Sequence, residues 1–101
     1  MFDKVKSFII QKVSSALEDR SMIDITPYIV YEKGGVEYPF LLEDYSSDTI
    51  SLTDVESATT YAITSNNTSF IHESFGEFPL NMLRGIAFYS YTVTRWEFKN
   101  V

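Results

Sequence analysis

The sequence predicts an α+β fold, in which one N-terminal amphipathic helix is followed by about six mostly antiparallel strands forming a small twisted sheet or barrel. Three observations lead there. Apolar residues recur at helical spacing across the first nineteen positions. From Ile23 onward Thr, Tyr, Ile, Val and Phe dominate and Ala becomes rare, which is strand composition. The breaks between these β-rich runs are short, as antiparallel neighbours require.

The helix is expected over residues 2–19. Phe2, Val5, Ile9, Val13, Ala16 and Leu17 follow the i, i+3, i+4 pattern of one face, and Phe8 and Ile10 widen it. Asp3 near the start and Arg20 near the end suit the helix dipole. So apolar a helix must pack on its own sheet or on a neighbouring subunit.

The β-rich part is expected over residues 23–99, and the whole chain of 101 residues and 11.6 kDa as a single domain. Ile25 to Glu32 forms the first strand candidate. Lys33-Gly34-Gly35 then provides the positive backbone angles of a tight hairpin. Val36 to Leu42 returns with Val36, Tyr38, Phe40 and Leu42 on one face, and Pro39 marks an edge or a bulge. Thr49 to Thr53 is a short strand with Ile50 and Leu52 inward. Thr59 to Ser65 and Thr68 to Glu73 read as a hairpin around Asn66-Asn67, residues that tolerate the left-handed region. Phe75 to Arg84 is irregular, with one helical turn at Leu80 to Leu83. The longest strand, Ile86 to Lys99, follows, with both of its faces partly apolar.

The formal net charge is −6, with eight Lys and Arg against fourteen Asp and Glu. Its distribution is uneven. Residues 34–83 hold no Lys or Arg, only Glu37, Glu43, Asp44, Asp48, Asp54, Glu56, Glu73 and Glu77. The first twenty residues and the last eighteen are each slightly basic. An acidic chain is poorly suited to nucleic acid, whose binding draws on phosphate neutralisation. The middle segment instead reads as a solvated acidic face or as a docking surface for a basic partner. The basic ends would also allow one copy to dock on another. No cysteine is present, which removes disulfides, thiol catalysis and thiolate metal sites. No run reaches the roughly twenty apolar residues of a membrane helix. No signal-peptide core is visible, so the expectation is a product of the host cytoplasm or part of an assembled particle.

Catalytic motifs are missing. His72 is the single histidine, and Glu73 would point to the opposite strand face, so His72 is expected as an exposed or half-buried strand residue. Asp44 and Asp48 flank two serines, but the positions where a calcium loop needs Gly and Glu are Thr49 and Val55. The glycines fit no phosphate-binding spacing. No catalytic residue, metal or cofactor is therefore expected. The aromatic residues near the C-terminus are read as sheet core or subunit interface.

The expected function is contact without catalysis: a protein-binding or assembly protein, with self-association included. Small size and a composition typical of AT-rich genomes suggest a bacteriophage virion component of the tail, baseplate or neck. The alternative is a small acidic inhibitor or DNA mimic that occupies a basic groove on a host protein. The third reading is a small carboxylate-based enzyme. The residues expected to touch a partner are Phe2, Phe8 and Ile9 on the helix, and Glu43, Asp44, Asp48, Asp54 and Glu56 in the acidic middle. Tyr89, Tyr91, Arg95 and Trp96 near the C-terminus complete the set.

Overall fold

The computed structural model describes residues 1–18, 26–45, 48–89 and 93–99. Helix α1 spans Phe2–Glu18 and buries Phe2, Val5, Ile9, Val13 and Ala16. Asp3 lies in its first turn, as the dipole favours. Leu17, expected on the buried face, is 68% exposed, because one further residue turns it about 100° away from Ala16. Asp19 and Arg20, the expected end of the helix, lie outside the described residues.

Among the described residues eight strands follow, where about six were expected: β1 (Thr26–Lys33), β2 (Val36–Asp44), β3 (Thr49–Asp54), β4 (Thr60–Thr64), β5 (Ser69–His72), β6 (Gly76–Pro79), β7 (Leu83–Tyr89) and β8 (Val93–Glu97). Six of them form one open antiparallel sheet in the order β4-β3-β2-β1-β7-β8, and β5 and β6 form a separate two-stranded sheet. The barrel alternative is therefore replaced by an open sheet with β4 and β8 at its ends. The β1–β2 turn sits at Gly34 and Gly35, with φ of 60° and 79°, the conformation a two-residue hairpin demands.

Three expectations are corrected. First, β4 and β5 do not pair. The β5 strand pairs with β6 instead, which draws the Phe75 to Arg84 region into regular structure. The expected helical turn is present as a single 3₁₀ turn at Leu80–Met82. Asn67 still shapes the bend, its Oδ1 accepting from the Thr64 N–H at 2.7 Å, but the chain leaves the ladder there. Second, the long last strand is two strands, β7 and β8, paired Ile86↔Trp96 and Phe88↔Thr94. Because even positions pair with even positions, the apolar alternation stays in phase through the reversal, so two strands read as one. Third, Pro39 lies in an inner strand. It faces Val30 of β1, while pairing with β3 begins only at Phe40. In a two-residue hairpin Val30–Pro39 falls on a non-hydrogen-bonded pair, so the missing N–H would have pointed away from β1, to a side β3 does not reach.

One sheet face carries the core. Register places Tyr61 and Ile63, Ile50 and Leu52, Phe40 and Leu42, Ile29 and Tyr31, and Ile86 and Phe88 on it. Helix α1 and the β5–β6 hairpin cover this face from two ends and join in one apolar cluster. Gly85 is fixed by packing, since a Cβ there would stand 2.4 Å from the Trp96 carbonyl oxygen. The opposite sheet face carries charge. Arg95 of β8 donates both terminal nitrogens to Glu37 of β2 at 3.0 and 2.6 Å, and its Nε lies 3.1 Å from Glu97. Arg84 lies 3.4 Å from Glu32 and 3.5 Å from Glu97. None of the described helices is long and apolar enough to cross a membrane.

Candidate protein-interaction cleft

The site is built outward from a polar pair under the β5–β6 hairpin. Asp54 closes β3, and its pairing with Phe40 turns its side chain toward the core face. The chain then bends tightly. The Glu56 N–H donates to Asp54 Oδ1 at 2.8 Å, the Ala58 N–H to the Asp54 carbonyl at 2.9 Å, and Ala58 takes a positive φ of 61°. This is an Asp-initiated turn, with the carboxylate satisfying backbone the turn leaves open. The second oxygen, Oδ2, accepts from Nε2 of His72. Burial pushes the Asp54 carboxyl up. The hydrogen bonds from His72, Glu56 and Ser57 outweigh that and hold it below its ordinary value.

His72 is only 3% exposed, which corrects its expected surface position. Its Nδ1 accepts the N–H groups of Ser74 and Phe75 at 3.0 and 3.2 Å. With Nδ1 accepting, the ring carries its proton on Nε2 and donates it to Asp54. Tyr61 stacks on the ring at 5.2 Å and Phe75 leans on it at 4.9 Å. Both nitrogens are engaged, so this imidazole has no lone pair free for a substrate. Its work is to tie β3 to the hairpin. Glu73 lies in the turn after β5, where its carboxylate accepts from the Thr59 hydroxyl at 3.1 Å.

Two further anchors fix the hairpin. Lys33 donates Nζ to the carbonyls of Phe75 and Glu77 at 2.6 and 2.8 Å and lies 5.0 Å from the Phe78 ring centre. Phe70 and Phe78 stack at 5.3 Å and meet Phe40 edge-on.

These anchors leave an open cleft of about 190 Å³ between β2, the Asp54 turn and the hairpin tip. It is lined by the apolar Val36, Tyr38, Pro39, Phe40, Val55 and Phe75 and by Glu37, Asp54 and Glu56, of which Asp54 is bonded to His72 and Glu37 to Arg95. Val36 is 52% exposed, Val55 50% and Phe75 45%. Glu37 is held below the ordinary carboxylate range by the guanidinium of Arg95. No Lys or Arg lines the cleft, and the nearby Lys33 ammonium is spent on backbone carbonyls.

Among the expected contact residues, Asp54 and Glu56 come together here. Glu43 and Asp44 are exposed at the far end of β2, and Asp48 is exposed in the turn before β3. Phe2 and Ile9 are 5% and 0% exposed. They are corrected from contact residues to core residues, because the sheet of the same chain covers that helix face. Phe8 packs on Phe98 at 5.1 Å, and Trp96 lies between Phe88 and the Lys12 ammonium. Tyr89 is 45% exposed and meets Tyr28 edge-on. Arg95 is occupied by Glu37 and Glu97. Tyr91 lies outside the described residues.

The sequence reading missed Val36, Val55 and Phe75 as surface groups and His72 as Asp54's partner. One signal was available for His72: it shares the alternation of buried Phe70, whereas Ile71 takes the exposed side. Nothing local links it to Asp54, eighteen residues earlier. Among the described residues no group of His, Asp or Glu could hold a metal ion. The chain matches no family model, no curated protein and no solved structure.

Proposed function

We propose that the protein acts by contact, and that the cleft between β2, the Asp54 turn and the hairpin tip receives a basic, apolar segment of a partner protein. The observation that carries this reading is an exposed apolar surface with Glu56 beside it and no Lys or Arg among its lining residues. Val36, Val55 and Phe75 offer area to desolvate, and Glu56 offers a charge for a Lys or Arg to meet. The buried His72–Asp54 pair and Lys33 hold the cleft walls before a partner arrives, which lowers the ordering cost of binding. Small size and composition fit a component of an assembled particle such as a bacteriophage tail, baseplate or neck.

The DNA-mimic alternative requires acidic groups in one row. Glu37 lies on the outer sheet face, Asp54 on the core face under His72, and Glu77 on the hairpin beside Ser69 at 3.1 Å. This scatter favours the contact reading.

Selection of random peptides displayed against the purified chain tests the proposal. Binders should be enriched in Lys or Arg beside Leu, Val or aromatic residues, and both Phe75→Ser and Glu56→Lys should weaken them about tenfold or more. Selection of acidic peptides, or of binders indifferent to both substitutions, would overturn it.

A further inference from the structure

We infer that the outer edge of β8 is a self-association strand, pairing antiparallel with β8 of a second copy about a two-fold axis at Trp96. This goes beyond the cleft and uses the opposite end of the sheet.

The ladder shows which backbone groups are free. The Phe98 N–H donates to the Arg84 carbonyl at 2.8 Å, so that pair is hydrogen-bonded. Alternation along the β7–β8 register then makes Ile86–Trp96 a hydrogen-bonded pair and Gly85–Glu97 and Ala87–Arg95 non-bonded ones. The N–H and C=O groups of Arg95 and Glu97 therefore face away from β7. Among the described residues no strand lies on that side of β8.

An antiparallel partner strand must present residues with the same outward groups. Centring the pair on Trp96 sets Arg95 opposite Glu97 of the second copy, and Glu97 opposite its Arg95. Both residues project their free backbone groups, so both pairs close with two hydrogen bonds. The same register brings opposite charges together twice on the outer face. Arg95 already bonds Glu97 of its own strand through Nε and Glu37 of β2 through its terminal nitrogens, so the attraction across the axis adds to pairs made within each copy. Centring on Arg95 instead would set Arg95 against Arg95, which like-charge repulsion disfavours. An open groove of about 430 Å³ lies between α1 and the Phe98-Lys99 segment that follows β8, with Asp3, Lys4 and Phe8 of α1 in its lining. A two-fold axis makes the contact isologous, so association stops at two.

Sedimentation velocity over a concentration series tests this, with the fluorescence of Trp96, the single tryptophan, followed on dilution. The expected result is a monomer–dimer equilibrium, with a fluorescence change that tracks it. Arg95→Glu and Glu97→Arg should each weaken dimerisation about tenfold or more, since each change acts twice across the axis. The double exchange should recover most of the loss. Glu97→Pro removes no backbone bond to β7, only the outward N–H together with the exposed carboxylate, so it should keep the β-sheet circular dichroism and abolish the dimer. A monomer at every concentration would overturn the inference. So would species that grow past two, or a dimer that survives Glu97→Pro in a folded protein.

Discussion

Helix α1 and the β5–β6 hairpin cover the same face of the same sheet, yet they are held by different physics. The helix contributes aliphatic side chains at regular spacing: Val5, Ile9, Val13 and Ala16. Burial of apolar area is its main support, and that support is nearly indifferent to pH. The hairpin contributes two buried phenylalanines and one buried histidine, and it is pinned by a bond donated by Lys33 and by bonds accepted by Asp54 and the Tyr61 hydroxyl. The comparison teaches that a non-directional seat needs only a pattern, whereas a two-stranded hairpin too small to be stable alone needs specific partners.

The largest effects should come from breaking each seat at its centre. Val13→Asp places an unpaired carboxylate where Val13 is 6% exposed, and should cost about 3–5 kcal/mol, enough to unfold the chain in a thermal melt. Phe78→Ala removes a ring that is 0% exposed and touches Phe70, Phe40 and Tyr31; it should cost about 3–5 kcal/mol by denaturant titration. A loss well below 1 kcal/mol in either case would show that the seat in question is not where the stability lies.

The polar pair sharpens the contrast. His72→Ala and Asp54→Ala should each cost about 2 kcal/mol, because each leaves the other partner buried without its bond. The double variant should cost distinctly less than twice that. Acid should also act here rather than at the helix. Asp54 titrates lower folded than unfolded, so the folded state binds fewer protons. Its contribution is present above the ordinary carboxylate value, near about 4, and is lost as pH falls through the folded value. Asp54→Asn should flatten the acid limb of stability against pH, and an unchanged limb would assign that limb to other carboxylates.

The smallest effect has the opposite sign. The Tyr31 hydroxyl is buried with no hydrogen-bond partner, and burial pushes its pKa up. Tyr31→Phe removes that unmet group while keeping the ring against Phe40, Phe70 and Phe78, and should stabilise the protein by about 1 kcal/mol. A destabilising result would mean the hydroxyl is satisfied in solution.

How far the sequence could be read follows the same division. The helix was legible because its 3.6-residue period is written in contiguous residues, and the β1–β2 hairpin because Gly34-Gly35 encodes its turn. Strand pairing after Thr64 was not. Asn66-Asn67 marks a bend in either topology, and only packing of Phe70 and Phe78 on Tyr31 and Phe40 decides that β5 leaves the sheet. The cleft was half legible: Asp54 and Glu56 were expected to meet a partner, while Val36, Val55 and Phe75 converge from three separate segments.

The sequence by itself determined the class of fold, the helix face, the first hairpin and an acidic middle without a basic residue, because each rests on neighbours within a few positions. Only the tertiary structure decided which strands lie at the edges, that the last apolar run reverses, and that His72 belongs to Asp54. Those outcomes depend on contacts between residues far apart in the chain, where local pattern carries no information about partner or distance.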